Sequence, residues 1–336
     1  MGASSQCTIL IPTHNRPDYL ARCVRWFSEL GYAVVIADSS ARSVSYVYAD
    51  RKNVTYIHCP GGFEVYPRKL QLALNEVRTP LVAMCADDDF IAPAGLDASA
   101  AFLTGNADYA FSQGYAYLYQ TFGRRIVLWP MVYPFHNNES GAWIDRVENA
   151  KSTVYYGLNR TEVLRGAIGF VARQDFSDMG NTVGAFTDGA LTAIVARAGK
   201  FKRCEVPFAF REYSRSVAGV GGRLESILSY NIPDFYRNHV AKLVGDDTDS
   251  VKRQRLVRLF ASDFAHQILY DLQVPIGQEI QLASWPEWAR SYAEYLLRLY
   301  RAAMLYKSGV YRPFLKVFSA PDYRRFKSFV LGSEQK

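Results

Sequence analysis

The chain has 336 residues, 49% of them hydrophobic and 21% charged, proportions that exclude an intrinsically disordered or collagen-like protein and leave enough material for one large or two modest domains. No apolar run reaches the roughly 18 residues that a membrane span needs, and no basic stretch followed by an apolar one opens the chain as a secretion signal would. The net charge of +7 lies in the last quarter, where residues 251–336 carry 14 Lys/Arg against 7 Asp/Glu; such a tail suits an anionic membrane surface or an acidic substrate, while no nucleic-acid-binding module is recognisable.

The first predicted element is a buried strand at Cys7–Ile11, ended by Pro12, and a helix follows over Arg16–Leu30 with Leu20, Val24 and Phe27 on one face. Val34–Ala37 is the next buried strand, so the chain alternates as βαβ units do and a mostly parallel sheet flanked by helices is expected. The turn between them, Pro12-Thr13-His14-Asn15-Arg16-Pro17, holds no glycine, which argues against a dinucleotide-binding turn and a Walker loop. Asp38 stands at the carboxyl end of the second strand, where an acceptor can meet a nucleobase or ribose, although an Asp-Ser turn there is also commonplace. Val54–His58 is a third strand, and Pro67–Val77 a helix whose first turn carries Arg68 and Lys69.

Leu81–Ala86 is an apolar strand that runs directly into Asp87, Asp88 and Asp89. In open α/β sheets ligands sit beyond the carboxyl ends of such strands. If the chain stays extended, Asp87 and Asp89 point the same way and repel, unless a hard divalent cation lies between them; Mg²⁺ would take one or two carboxylates and complete its shell with substrate phosphates. The expected ligand is therefore a metal-bound phosphate compound.

Ile9-Leu10-Ile11-Pro12-Thr13-His14-Asn15-Arg16, Asp38-Ser39-Ser40, Arg68-Lys69 and Asp87-Asp88-Asp89-Phe90, in this order and spacing, resemble the nucleotide-sugar half of GT-A glycosyltransferases of the bacterial family-2 type, over about the first 210 residues. The resemblance implies Thr13 and Arg16 beside the base, Asp38 on the base, Asp87 and Asp88 around ribose and sugar, and Lys69 on phosphate or sugar. It also implies a Mg²⁺ or Mn²⁺ ion on Asp89, shared with Asp87, bridging the diphosphate. Further on, Phe186-Thr187-Asp188-Gly189 is similar to the family's acidic motif at a helix start, with Thr187 in place of the usual Glu. Asp188 is then the implied catalytic base of an inverting enzyme, with Asp175 and Asp178 as substitutes. Many relatives carry a metal-binding histidine near Phe210-Arg211-Glu212-Tyr213-Ser214-Arg215. This chain has Tyr213 there, which leaves Glu212 or water to complete the shell; the alternative is weaker or no metal dependence, with Arg211 or Arg215 helping to neutralise the leaving diphosphate.

Between these motifs, Tyr109–Tyr119 and Arg125–Trp129 alternate around Thr121-Phe122-Gly123 as a hairpin. Its Tyr115, Tyr117, Tyr119 and Trp129, with Tyr133, could stack on sugar rings or simply pack across strands. Ser152–Leu158 is read as a strand and Asn159–Leu164 as the start of a helix. Gly219-Val220-Gly221-Gly222 is a candidate hinge. Beyond Leu224 the pattern is helical: Leu256, Phe260, Phe264, Ile268 and Leu272 recur every four residues, and Ser284-x-x-Glu287 forms a capping box before a helix with Trp288, Tyr292, Leu296 and Leu299. Arg290, Arg298, Arg301 and Lys307 accompany that helix and are expected to face outward. Cys7, Cys23, Cys59, Cys85 and Cys204 are odd in number and form no CxxC pair, as reduced thiols of a cytosolic protein would be.

The expected organisation is a GT-A domain at 1–215, with its donor half to about 105 and its acceptor half beyond, followed by a helical region at 216–336. The expected activity is metal-dependent inverting transfer of a sugar from a nucleotide-sugar donor to a glycan or lipid-linked glycan in bacterial surface polysaccharide synthesis. It would take place in the cytoplasm, with peripheral contact between the basic helices and the inner membrane face. A polyol-phosphate transferase using a CDP-linked donor and a non-catalytic glycan-binding protein are the alternatives.

Overall fold

The structure, a computed structural model, describes residues 3–131, 137–149, 154–174, 183–213, 287–307 and 312–333. The first half follows the expected alternation: β1 (Cys7–Thr13), α1 (Pro17–Glu29), β2 (Ala33–Asp38), β3 (Val54–His58), α2 (Tyr66–Asn75), β4 (Leu81–Met84), β5 (Phe90–Ile91) and α3 (Pro93–Gly105). β1 continues through Pro12 instead of ending there. Its pairing with β4 stops at Leu10, so the proline's missing N–H falls beyond that ladder, while Pro12 still registers with Ala37 of β2.

The second half supplies β6 (Tyr109–Phe122), β7 (Arg125–Pro130), α4 (Trp143–Asn149), β8 (Leu158–Arg160), α5 (Thr161–Val171), α6 (Val183–Ala198) and β9 (Lys200–Glu212). β6 and β7 form the predicted hairpin, closed where Phe122 pairs with Arg125 and turned by Gly123 at φ 55°, a left-handed conformation that suits a two-residue turn. Asn159 belongs to β8 and not to a helix, because it pairs with both Val82 and Phe111.

The strand order is β3-β2-β1-β4-β8-β6-β9-β5, with β7 on β6. β3, β2, β1 and β4 run parallel; β8 is antiparallel to both of its neighbours, and β6 and β9 are again parallel. The chain leaves β1 for β2 and β3 on one side and crosses from β3 to β4 on the other side of β1, so the crevice at the carboxyl ends of β1 and β4 is the switch point at which open α/β sheets bind ligands. Thr13 and the acidic triplet both end there.

After β9 the described chain resumes with α7 (Glu287–Lys307), a 3-10 segment (Arg312–Ser319) and α8 (Pro321–Ser333). The expected boundary at 215–216 and the period through Phe260, Phe264, Ile268 and Leu272 lie outside the described residues, as do Tyr133, Asp175, Asp178, Arg215 and the Gly219–Gly222 loop. Among the described residues of this region, Phe314, Val317, Phe326 and Val330 are buried in the same core as Ile9, Val35 and Phe210. Phe326 stacks on Phe210 with centroids 4.3 Å apart and meets Tyr119 edge-on at 4.9 Å. The Asp322 carboxylate accepts the Ala94 N–H at 2.8 Å, at the start of α3.

Tyr115, Tyr117 and Tyr119 are fully buried, so of the two readings the packing one holds. Tyr115 and Tyr117 contact Phe314 and Tyr119 contacts Phe326, which puts the inward face of β6 against the C-terminal segment. α7 corrects a prediction. Among its described side chains Arg298 and Ala302 are buried, and Tyr295 leans on Phe122 at 5.4 Å; of the apolar positions singled out from the sequence, Tyr292, Leu296 and Leu299 are exposed, and the Trp288 side chain lies outside those described. Arg298, expected outside, is 5% exposed, with its guanidinium 4.0 Å from the Tyr213 ring and 5.5 Å from that of Trp129. Two aromatic faces make this an energetically acceptable site for a desolvated arginine.

Candidate active site

The turn after β1 shapes the crevice without glycine. Asn15 takes the left-handed conformation, φ 55°, which asparagine tolerates better than most residues. Its backbone N–H donates to Ser40 Oγ at 2.7 Å, and its Oδ1 accepts the Ala41 N–H at 3.3 Å. The loops after β1 and β2 are thereby tied together. Asp38 completes this tie: its carboxylate accepts from the Ser40 N–H at 2.7 Å, from the Ser40 hydroxyl and from the Tyr56 hydroxyl. At 1% exposure, Asp38 is a brace for the loop before it is a contact for a ligand.

Lys69, on the first turn of α2, reaches the same loops. Its Nζ donates to the Thr13 carbonyl at 2.7 Å and to Ser39 Oγ at 2.9 Å. Burial brings this amine down to about 8, partly opposed by the charges of Asp38 and Asp87. Arg68, its neighbour, is exposed.

The acidic triplet departs from the extended geometry expected of it. β4 ends at Met84, and the Asp89 N–H donates to the Ala86 carbonyl at 3.1 Å, so Asp87 and Asp88 occupy the two central positions of a turn. The two-residue alternation of a strand no longer applies, and it is Asp87 and Asp88 that stand together. One guanidinium holds both: Arg16 Nη1 donates to Asp87 Oδ1 at 2.8 Å and Nη2 to Asp88 Oδ2 at 2.7 Å. Thr13 Oγ1 donates to the other Asp87 oxygen at 2.7 Å. Burial raises the Asp87 carboxyl to about 6, against the lowering effect of Thr13 and Arg16.

Asp89 has different partners. Its Oδ1 accepts the Glu212 N–H at 2.7 Å and its Oδ2 faces Arg211 Nε at 3.4 Å, while the Tyr156 hydroxyl also bonds the carboxylate. Burial and the neighbouring Asp88 charge raise it to about 7. Glu212, a predicted substitute ligand, is committed elsewhere: its carboxylate accepts from Arg22 and, at 3.0 Å, from the Tyr119 hydroxyl. Tyr213 lies 5.7 Å from Trp129 beneath Arg298, within the packing of the hairpin against α7. Among the described residues no three His, Cys, Asp or Glu side chains gather as a cation site. The expected pairing of Asp87 with Asp89 around one ion does not fit the partners that these carboxylates have.

Asp188 is the sixth residue of α6, not its cap, because the helix already begins at Val183. It is half-buried. Its charge acts on Tyr66, whose hydroxyl is pushed well up by burial and further by Asp188, and the Lys69 amine lies 5.4 Å from the centre of the Tyr66 ring. The crevice therefore gathers Thr13, Arg16, Lys69, Asp87 and Asp88 directly, with Asp38 behind Ser39–Ser40, Asp89 beside Arg211, and Asp188 on the Tyr66 side.

The sequence singles out neither Tyr156 nor Arg22, and Asn15 enters only as part of the turn. Tyr156 has φ 58°, an outlier for a bulky side chain. Its N–H donates to the Met84 carbonyl at 3.2 Å, and the next residue, Gly157, has no room for a Cβ, which would lie 2.1 Å from the Phe111 ring. Nothing in Val154-Tyr155-Tyr156-Gly157 announces this.

Residues 8–156 match the sequence pattern of glycosyl transferase family 2. Over this stretch, somewhat under half of its length, the chain is similar to the family 2 glycosyltransferases. This glycosyltransferase finds no match among curated proteins, whereas solved structures resemble it closely enough to identify its GT-A fold. Crystal structures of S. aureus TarS 1-349 superpose with TM-scores of 0.53 for that protein and 0.54 for its complex with UDP-GlcNAc, at 12% and 13% identity. Each covers 98% of this chain, and this chain covers 91% and 92% of them. A longer TarS structure matches with a TM-score of 0.52 and 13% identity over 95% of this chain, which spans 54% of its length. At these identities the likeness is one of fold.

Proposed function

We propose that this glycosyltransferase moves a sugar from a nucleoside-diphosphate donor to a hydroxyl of a glycan or lipid-linked glycan, with inversion at the anomeric carbon, in the building of a bacterial surface polysaccharide. The observation that carries the proposal is the charged crevice at the ends of β1 and β4, where Arg16 and Lys69 converge on Thr13 and the Asp87–Asp88 turn. Support for the donor class comes from the family 2 match and from the fold shared with a protein crystallised with UDP-GlcNAc.

In this reading the diphosphate lies across the crevice near Lys69 and Arg211, the sugar beside Asp87 and Asp88, and the base towards the Asp38 brace. Asp188 takes the proton from the acceptor hydroxyl as its oxygen bonds to the anomeric carbon; the bond from that carbon to the diphosphate breaks, and the nucleoside diphosphate leaves with the electron pair. The divalent cation expected from the triplet is not carried into the proposal, since Asp87 and Asp88 are occupied by Arg16 and Asp89 by Arg211 and Glu212 N–H.

No described helix is long and apolar enough to cross a membrane. The outward face of α7, with Tyr292, Leu296, Leu299, Tyr300 and Met304 exposed, supports peripheral contact with an anionic bilayer.

A panel of nucleotide sugars assayed for nucleotide release, followed by anomeric analysis of the product, tests the reaction. Release from one donor with an inverted product is the expected result; a retained product would reject Asp188 as the base of a single displacement, and no release from any donor would reject the activity.

A further inference from the structure

The triplet of carboxylates already has its counter-charges, and they are arginines. Arg16 spans Asp87 and Asp88 with its two terminal nitrogens. Asp89, 2% exposed, has one oxygen on the Glu212 N–H and the other on Arg211.

Arg211 is held in place from its other side as well. Its guanidinium stands 4.3 Å from the centre of the Tyr156 ring, and Tyr156 is fixed there by its left-handed backbone and by its N–H bond to Met84 at the end of β4. Such strain persists only where the surroundings enforce it and is concentrated at functional sites. The Arg211 side chain keeps 34% of its surface exposed. Asp89 takes only its Nε, and among the described residues the terminal nitrogens have no carboxylate partner; Nη1 is 3.9 Å from Met131 Sδ. A guanidinium anchored in this way presents a planar pair of donors suited to phosphate oxygens, and unlike an aquated ion it needs no ligand cage. Glu212, the side chain that could complete a metal shell in place of water, is turned to Arg22 and Tyr119.

We propose that Arg211 is the resident cation of this active site: anchored by Asp89 and stacked on Tyr156, it binds the diphosphate of the donor and offsets the charge that departs with it, so that donor binding needs no divalent ion. The proposal rests on the donor reading above and deepens it.

Calorimetry on the full chain tests it with UDP, CDP, GDP and dTDP, each with its nucleoside monophosphate, in EDTA and in Mn²⁺. The expected result is that one diphosphate binds in EDTA within about twofold of its affinity in Mn²⁺. Arg211→Gln should weaken that diphosphate by about tenfold or more, the scale of a lost charge-assisted bond, while leaving the monophosphate within about twofold. Arg211→Lys, which keeps the charge and loses the fork, should fall between. The proposal is overturned if EDTA abolishes diphosphate binding and Mn²⁺ restores it, or if Arg211→Gln binds the diphosphate as well as the wild type does. Equal weakening of monophosphate and diphosphate would make Arg211 a structural residue and also overturn it. If no diphosphate binds in either condition, the donor reading itself has failed and takes this proposal with it.

Discussion

Phe326→Ala measures whether α8 belongs to the catalytic core. Phe326 is fully buried; it stacks on Phe210 with an interplanar angle of 11° and meets Tyr119 and Phe90 edge-on, at 4.9 Å and 5.6 Å. Removing the ring exposes or vacates about 150–200 Å² of apolar contact, and at ~25 cal/mol per Å² the transfer loss alone is about 4–5 kcal/mol before any collapse of the site. Buried Phe→Ala changes cost ~3–5 kcal/mol, so about 4 kcal/mol is the working figure. Unfolding entropy of ~2.1 cal/mol/K per residue over a chain of this length makes each kcal/mol worth about 1.4 °C, so the Tm should fall by about 6 °C. Differential scanning calorimetry gives the shift, and the nucleotide that binds the wild type gives a second readout. Phe210 precedes Arg211 and Phe90 follows Asp89, so loosened packing should also weaken nucleotide binding several-fold. A Tm within about 1 °C of wild type, with unchanged binding, would refute the reasoning and make α8 an appendage.

The other predictions concern the site and the surface. Asp188→Asn keeps the size of the side chain and removes its basicity, so transfer measured by nucleotide release should drop about 10²-fold or more with donor affinity unchanged; near-normal transfer would move the base to Asp175 or Asp178. Nucleotide binding should be bell-shaped in pH. It gains as Asp87 ionises above about 6 and Asp89 above about 7, because their pairs with Arg16 and Arg211 then form fully, and it declines above about 8 as Lys69 loses its proton. Stability should follow the opposite sign at acid pH: the native state holds these carboxyl protons longer than the unfolded chain, so unfolding free energy decreases as pH rises from about 4 to 7. A calorimetric pH series with monotonic binding would contradict the assignment. Vesicles containing anionic lipid should pellet the protein at low salt, with a residue surviving high salt because α7 offers Tyr292 and Leu296 as well as basic groups; no pelleting at low salt would leave that face for a protein partner.

Resolved by the sequence alone were those features that depend on local pattern. Strands buried on both faces are near-continuous apolar runs, and the helices between them keep a 3.6-residue period, so β1 to β4 and the α/β order were legible, as was the hairpin of β6 and β7 from its alternation. The Asp87–Asp89 run stood out because carboxylates abut an apolar strand, and its order with the β1 turn, Asp38 and Lys69 carried the family resemblance, which in turn nominated Asp188. Tertiary structure decided the rest, because it depends on contacts far apart in the chain. That Asp87–Asp88 is a turn follows from an Ala86–Asp89 hydrogen bond, which no residue type in the run requires. Which acid meets which arginine is set by the turn before α1 and by β9, which lie roughly 70 and 120 residues away from the triplet in the chain. The inward side of α7 is set by the hairpin it lies on, which covers Arg298 and Ala302 and leaves Tyr292, Leu296 and Leu299 outside, whereas the sequence pattern fitted packing, dimerising or membrane contact alike. Tyr156 gave no signal at all, since a left-handed backbone at a tyrosine is imposed by the surrounding fold and not by the residue's own preference.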